Sequence, residues 1–147
     1  MSKVFAGYHV VFATKSRKRT LPLERARLLY GYIHGCLEKR NCKTFRINGM
    51  EDHVHIAFDL NASLALADVV REIKRGSSHF LGIDNGFPDF DGWGRGYYAH
   101  TFSIMERDGV IEYIRNQREH HSNFNFLDEI KEVSSRQGLA YHPDDWE

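Results

Sequence analysis

Cysteine and proline are scarce: the 147-residue chain has two of the first and three of the second. The thiols, Cys36 and Cys42, flank the end of an expected helix and cannot build a disulfide framework. Reduced thiols in the cytoplasm are the expectation, one buried and one a chance surface position. Long apolar runs are missing too, and nothing approaches the ~20 residues that a membrane span needs. The opening MSKVFAGYHVVFATKSRK has a short strand-like run without a small-residue cleavage pattern, so no signal peptide is expected. Net charge is absent, with 20 Lys and Arg against 20 Asp and Glu, which counts against a general charge-driven nucleic-acid binder. Repeats, low-complexity tracts and a linker are also lacking, so residues 1–147 are expected to form one domain.

The charges that are present are unevenly spread. Lys15, Arg17, Lys18 and Arg19 form one basic cluster, and Arg71, Lys74 and Arg75 another. Acidic residues gather at Asp84, Asp89, Asp91 and near the C-terminus. Separate basic patches on a neutral protein can hold phosphates locally.

Residues 8–14 read as a first strand, and 22–40 as an amphipathic helix with Leu23, Ala26, Leu29, Tyr30, Ile33 and Leu37 at three-and-four spacing. Residues 43–49 and 53–59 read as a hairpin turning at Gly49-Met50-Glu51. A second helix follows, with Ser63 as its expected N-cap and Leu66, Val69, Val70 and Ile73 facing the core. The glycine-rich stretch 82–96 reads as a loop, mobile or shaped by a partner. Residues 97–105 read as a strand, Asp108 as the cap of a helix running to about His121, and 127–134 as a further helix. The closing YHPDDWE has no clear assignment. This order fits an α+β, ferredoxin-like antiparallel sheet with two helices on one face, plus a later helix able to cross the open face.

Chemistry enters at His53-Val54-His55. On a strand the two imidazoles share one face, while Val54, Ile56 and Phe58 point to the other. Two neutral imidazoles on a rigid strand make half a divalent-metal site; the plain reading is two histidines in ordinary hydrogen bonds. A third group must close such a site. Gln117 offers a neutral carbonyl oxygen that suits a hard cation such as Mg2+ or Mn2+. Tyr113 lies four residues before Gln117, on the same face of the expected helix. Its phenol is a poor nucleophile at neutral pH, and a cation helps chiefly by polarising the electrophile. A lone tyrosine on a helix is more often a packing residue.

Taken together, these residues resemble the single-tyrosine HUH transposases of the insertion-sequence-200 type, the TnpA family. His53-Val54-His55 matches histidine, bulky hydrophobic residue, histidine. Tyr113-Ile114-Arg115-Asn116-Gln117 matches the family's Tyr-Ile-x-Asn-Gln helix. YHVVFATKSRKR, INGMEDHVHI and VVREIKRGSSHFL resemble its first strand, hairpin and following helix, so the resemblance spans roughly residues 5–125. It implies a homodimer that binds hairpins at the ends of a mobile element. It implies cleavage and rejoining of single-stranded DNA through a 5′-phosphotyrosine, with Mg2+ or Mn2+. His53, His55 and Gln117 would then hold the metal and Tyr113 would attack. Lys15, Arg17, Lys18, Arg19, Arg71, Lys74 and Arg75 would meet the DNA backbone.

Asn116 could orient a phosphate or cap local hydrogen bonds, and His120 and His121 read as a solvated helix end. Trp93, Tyr97, Tyr98 and Phe102 read as packing aromatics. Three other readings stand beside the transposase of a mobile element. One is a domesticated relative, such as the REP-associated tyrosine transposases. Another is a nucleic-acid-binding module without chemistry. The third is a zinc hydrolase, disfavoured because glutamine is an uncommon zinc ligand and no general-base glutamate is evident beside the strand.

Overall fold

Side-chain alternation along the two central strands divides the molecule into three layers. The computed structural model describes residues 2–83, 86–121 and 125–142. Its strands are β1 (Gly7–Ala13), β2 (Lys43–Met50), β3 (His53–Asp59) and β4 (Tyr98–Phe102). They form one antiparallel sheet in the order β2-β3-β1-β4, the expected ferredoxin-like arrangement with the histidine strand inside it. Among the described residues five α-helices accompany the sheet: α1 (Ala26–Lys39), α2 (Leu66–Gly82), α3 (Arg107–Arg115), α4 (Gln117–His120) and α5 (Phe126–Arg136).

One sheet face carries Val10, Phe12, Val54, Ile56 and Phe58 into the main core, where they meet Leu29, Ile33 and Leu37 of α1 and Val69, Val70 and Ile73 of α2. The opposite face is covered as well. Val11, Ala13 and Tyr98 pack with Phe126, Ile130 and Val133 of α5, and Ala57 and Phe102 pack with Ile114 of α3. Burial on both faces explains why six of the seven β3 residues are buried.

The β2–β3 hairpin requires a glycine at its end. A Cβ on Gly49 would lie 2.2 Å from the backbone oxygen of His53, closer than any side chain tolerates. That close approach seats β2 against the histidine strand, pairing Asn48 with His55 and Met50 with His53.

Several boundaries differ from the sequence reading for local reasons. Asn61 accepts the Ser63 amide at 3.0 Å on its side chain and the Leu64 amide at 2.9 Å on its carbonyl. This turn keeps Ser63 outside α2, whose N-cap is Ala65. Ser103 and Glu106, not Asp108, form the capping box ahead of α3. The tyrosine helix also breaks at Asn116, because the Asn48 amide of β2 takes the Ile114 and Arg115 carbonyls at 3.1 Å each. The chain re-enters helix at Gln117, so the tyrosine and the glutamine sit on α3 and α4 rather than on one continuous helix.

The described part of the glycine-rich loop is pinned rather than loose. Lys74 Nζ donates to the Gly94 and Gly96 carbonyls at 2.8 and 2.9 Å, and the Trp93 indole donates to Ser77 Oγ at 2.9 Å. Asp84 and the final residues 143–147 lie outside the described residues. Cys36 and Cys42 are both free, the second buried. Among the described residues no helix is long and apolar enough to cross a membrane.

Candidate active site

Two fully buried imidazoles, His53 and His55, project from β3 beneath the helices of the third layer. Each has one ring nitrogen held from behind. His53 Nδ1 lies 2.7 Å from Asp52 Oδ1, and His55 Nδ1 lies 2.8 Å from His9 Nε2 on the neighbouring strand. Both Nε2 atoms are thereby aimed at one point under α4 and α5. Fixing the remote nitrogen sets ring orientation and tautomer, the arrangement that metal-binding histidines use.

Gln117 enters from α4, also fully buried. Its Oε1 is 3.2 Å from His53 Nε2, and its Nε2 donates to Glu129 Oε2 at 2.8 Å. Tyr113 enters from the last turn of α3. Its hydroxyl donates to the same Glu129 oxygen, and its ring centroid is 5.8 Å from that of His55 and 5.9 Å from that of His9. All four expected site residues therefore meet within one chain, although β3 and α3 are far apart in sequence.

The residue that joins them was not anticipated. Glu129 of α5 is fully buried, and its Oε1 lies 3.2 Å from His55 Nε2, 3.3 Å from His53 Nε2 and 2.8 Å from His121 Nε2. His120 Nε2 is 3.7 Å from its other oxygen. The His120–His121 pair, expected to be a solvated helix end, thus turns inward. The available sequence signal was weak: Glu129 falls where an amphipathic α5 would place a core residue, between Phe126 and Ile130 on one side and Val133 on the other.

The electrostatics follow from this crowding. Burial opposes charge on His53, but the hydrogen bonds from Asp52 and Glu129 outweigh it and push its pKa up to about 9. Burial wins at His55, whose pKa is lowered despite Glu129. Glu129 is itself held far below the carboxylate range: burial works against this, and the surrounding His55, His121 and His53 overcome it. Burial, reinforced by the Glu129 charge, drives the Tyr113 phenol well above its ordinary value. The phenol is therefore not pre-activated by a depressed pKa.

The donor set fits a divalent cation. Ligand atoms of His53, His55 and Glu129 all lie within 4.8 Å of one another, and Gln117 Oε1 adds a neutral oxygen. Two imidazoles with carboxylate and carbonyl oxygens are a donor set that divalent cations take. A fully buried carboxylate needs positive charge nearby; charged His53 supplies it in the metal-free protein, and a bound cation would take over that part.

The description "Transposase IS200 like" matches residues 3–117 of the sequence. The chain belongs to the IS200-like transposase family. Transposases for insertion sequence element IS200 from Salmonella typhimurium and Salmonella typhi are each 26% identical over 117 residues, covering 76% of either chain. The fold has solved counterparts. A candidate transposase from Deinococcus radiodurans R1 aligns with a TM-score of 0.61 and 24% identity, over 80% of this chain and 95% of that one. A REP-associated tyrosine transposase bound to a REP hairpin aligns with a TM-score of 0.62 and 15% identity, over 100% of this chain and 90% of that one. The family match ends at Gln117, so Glu129 lies beyond it.

The basic residues of this IS200-like transposase occupy two surfaces. Lys15 and Arg17 form a short 3-10 turn after β1; Lys18 pairs with Asp91 at 2.6 Å; Arg19 borders a cavity shared with Asp52, His121 and Phe126. Arg71 pairs with Asp68 at 2.9 Å and Arg75 with Glu72 at 3.5 Å, exposed contacts that exchange readily for other anions. Lys74, half-buried, spends two hydrogen bonds on the glycine-rich loop. Together with Trp93 and Tyr97 these three line a surface cavity of ≈ 560 Å³.

Proposed function

We propose that this transposase cleaves and rejoins single-stranded DNA at hairpin-marked ends of a mobile element through a 5′-phosphotyrosine on Tyr113. One observation carries the reading: a tyrosine, two histidines and a glutamine from separate elements converge on a single buried carboxylate. That constellation has no need to exist in a module that only binds nucleic acid. His53, His55 and Gln117, joined by Glu129, would hold Mg2+ or Mn2+. When bound, the cation would withdraw charge from a phosphodiester oxygen.

The remaining work falls to the chain. Asp52 and His9 orient the two rings. Tyr113 Oη attacks the phosphorus and gives its proton to the Glu129 carboxylate it already bonds; a tyrosyl O–P bond forms, the bond to the 3′ oxygen breaks, and that oxygen takes a proton from water and leaves as a free 3′-OH. The phosphotyrosine retains the energy of the broken linkage, so attack by another 3′-OH rejoins strands without ATP. The basic turn Lys15–Arg19 and the groove bearing Arg71, Lys74 and Arg75 are assigned to the DNA backbone; Trp93 and Tyr97 beside the groove suit stacking on unpaired bases. A homodimer is part of this reading on the family resemblance alone; within one chain Tyr113 already reaches Glu129.

The test is incubation of the purified protein with labelled single-stranded hairpin DNA from the flanks of its gene, with Mn2+ or Mg2+. A covalent protein–DNA adduct that disappears in Tyr113→Phe supports the proposal. Hairpin binding with no adduct at any candidate end overturns it in favour of a binding module.

A further inference from the structure

Tyr113 also borders an open cavity. This cavity, of ≈ 400 Å³, lies between α3 and α5 and is lined among others by His9, His100, Gly109, Val110, Tyr113 and Arg136. Its walls combine an aliphatic side, imidazole nitrogens and one guanidinium. The carboxylate on its rim, Glu106, is turned away onto the Ser103 amide at 2.9 Å. Among the described residues Arg136 pairs with Glu132 at 3.2 Å, an exposed contact that leaves it able to meet another anion.

Gly109 is the informative residue. It lies inside α3, where glycine is among the least favourable residues. Its φ is not among the positive values that would require glycine. A Cβ there would meet no atom within 4 Å, so close packing does not require it either. What a larger side chain would do is project into open space beside the cavity, one helical turn before Tyr113.

From this we infer that the cavity between α3 and α5 is a subsite for one unpaired nucleotide flanking the scissile phosphate. Gly109 leaves room for the base, Val110 forms its apolar wall, and Arg136 meets the adjoining phosphate as a charge-assisted donor. The inference rests on the strand-transfer reading for the identity of the ligand, and it adds where the strand must run to reach Tyr113: along α3 and not through the buried histidine side.

The experiment has two arms. In the first, Gly109→Leu and Arg136→Ala are compared with the natural protein for adduct formation on the same hairpin substrate. The subsite predicts at least a tenfold loss of adduct in each, with hairpin affinity unchanged and the thermal midpoint of Gly109→Leu equal or higher. Adduct formation by Gly109→Leu at the natural rate overturns the inference. In the second arm, 15N-labelled protein is titrated with the tetranucleotide d(TTTT) without metal. Amide shifts centred on Gly109 and Arg136, absent in Gly109→Leu, support the subsite whether or not strand transfer is observed. Shifts confined to Lys15–Arg19 or to the Arg71 groove, or none, overturn it. Shifts at Gly109 with no adduct at any end would sink the strand-transfer reading and leave the nucleotide subsite standing.

Discussion

The hydroxyl of Tyr113 donates to the carboxylate of Glu129, the same carboxylate that lies within 3.3 Å of both His53 and His55. One acid from α5 therefore ties the proposed nucleophile to the proposed metal clamp. Its burial is complete, so it cannot be a passive surface charge.

Glu129→Ala should weaken Mn2+ binding at least tenfold by titration calorimetry, because the variant removes the only acidic donor in the set. It should also destabilise the metal-free protein by about 3–5 kcal/mol in urea, the usual cost of leaving buried partners uncompensated. Unchanged Mn2+ affinity would assign Glu129 a purely structural role.

Metal affinity should depend on two residues that would never touch the cation. His55 can present a lone pair at Nε2 only with its proton on Nδ1, donated to His9 Nε2. Asp52 plays the matching part for His53. Removing such partners typically costs 10–100-fold in metal affinity. His9→Phe and Asp52→Asn should each fall by roughly that factor in Mn2+ titration, with the sheet intact by circular dichroism. Equal affinity in either variant would contradict the assigned tautomers.

The metal-free fold should be most stable near pH 6.5. The folded pKa of His53, about 9, exceeds its unfolded value of 6.5, so its stabilising effect is complete below 6.5 and disappears as pH rises toward 9. Burial lowers His9, His55 and His100. For these the unfolded chain takes up protons first, and stability falls as pH drops below 6.5. Urea midpoints in chelator should trace that maximum, and Asp52→Asn should flatten its alkaline side. A midpoint that climbs steadily from pH 6.5 to 9 would contradict the His53 arrangement.

Lys74 should separate from its basic neighbours. Because it clamps the Gly94 and Gly96 carbonyls, Lys74→Met should expose the loop to limited trypsin digestion at Arg95. Arg71→Ala and Arg75→Ala, which remove only exposed ion pairs, should leave the digestion rate unchanged while weakening hairpin binding. Identical digestion of all three variants would remove Lys74 from the loop's support.

The sheet and the histidine face were readable in the sequence because period-two alternation is a local property, visible within the seven residues of β3. The Tyr113–Gln117 spacing survived the break at Asn116 for a similar reason: the turn continues, with the His120 amide bonded to the Asn116 carbonyl at 2.9 Å. The break itself was hidden, since Asn48 acts from a different strand, 66 residues away. Glu129 was hidden more deeply. It is 74 residues from His55, and only the docking of α5 across the sheet reveals that an acid in a core position faces imidazoles. The inward turn of His121 depends on the same docking. Lys74 was grouped with its basic neighbours because composition does not tell a solvated lysine from one committed to carbonyls.

The most direct measurement is to locate the phosphorus. Adduct formed on 3′-labelled single-stranded hairpin DNA would be digested with nuclease and trypsin and sequenced by tandem mass spectrometry. The account predicts a nucleotide 5′-phosphate on the tryptic peptide Asp108–Arg115, attached at Tyr113. A stable adduct on any other residue, or one carrying the strand through its 3′ end, would contradict it.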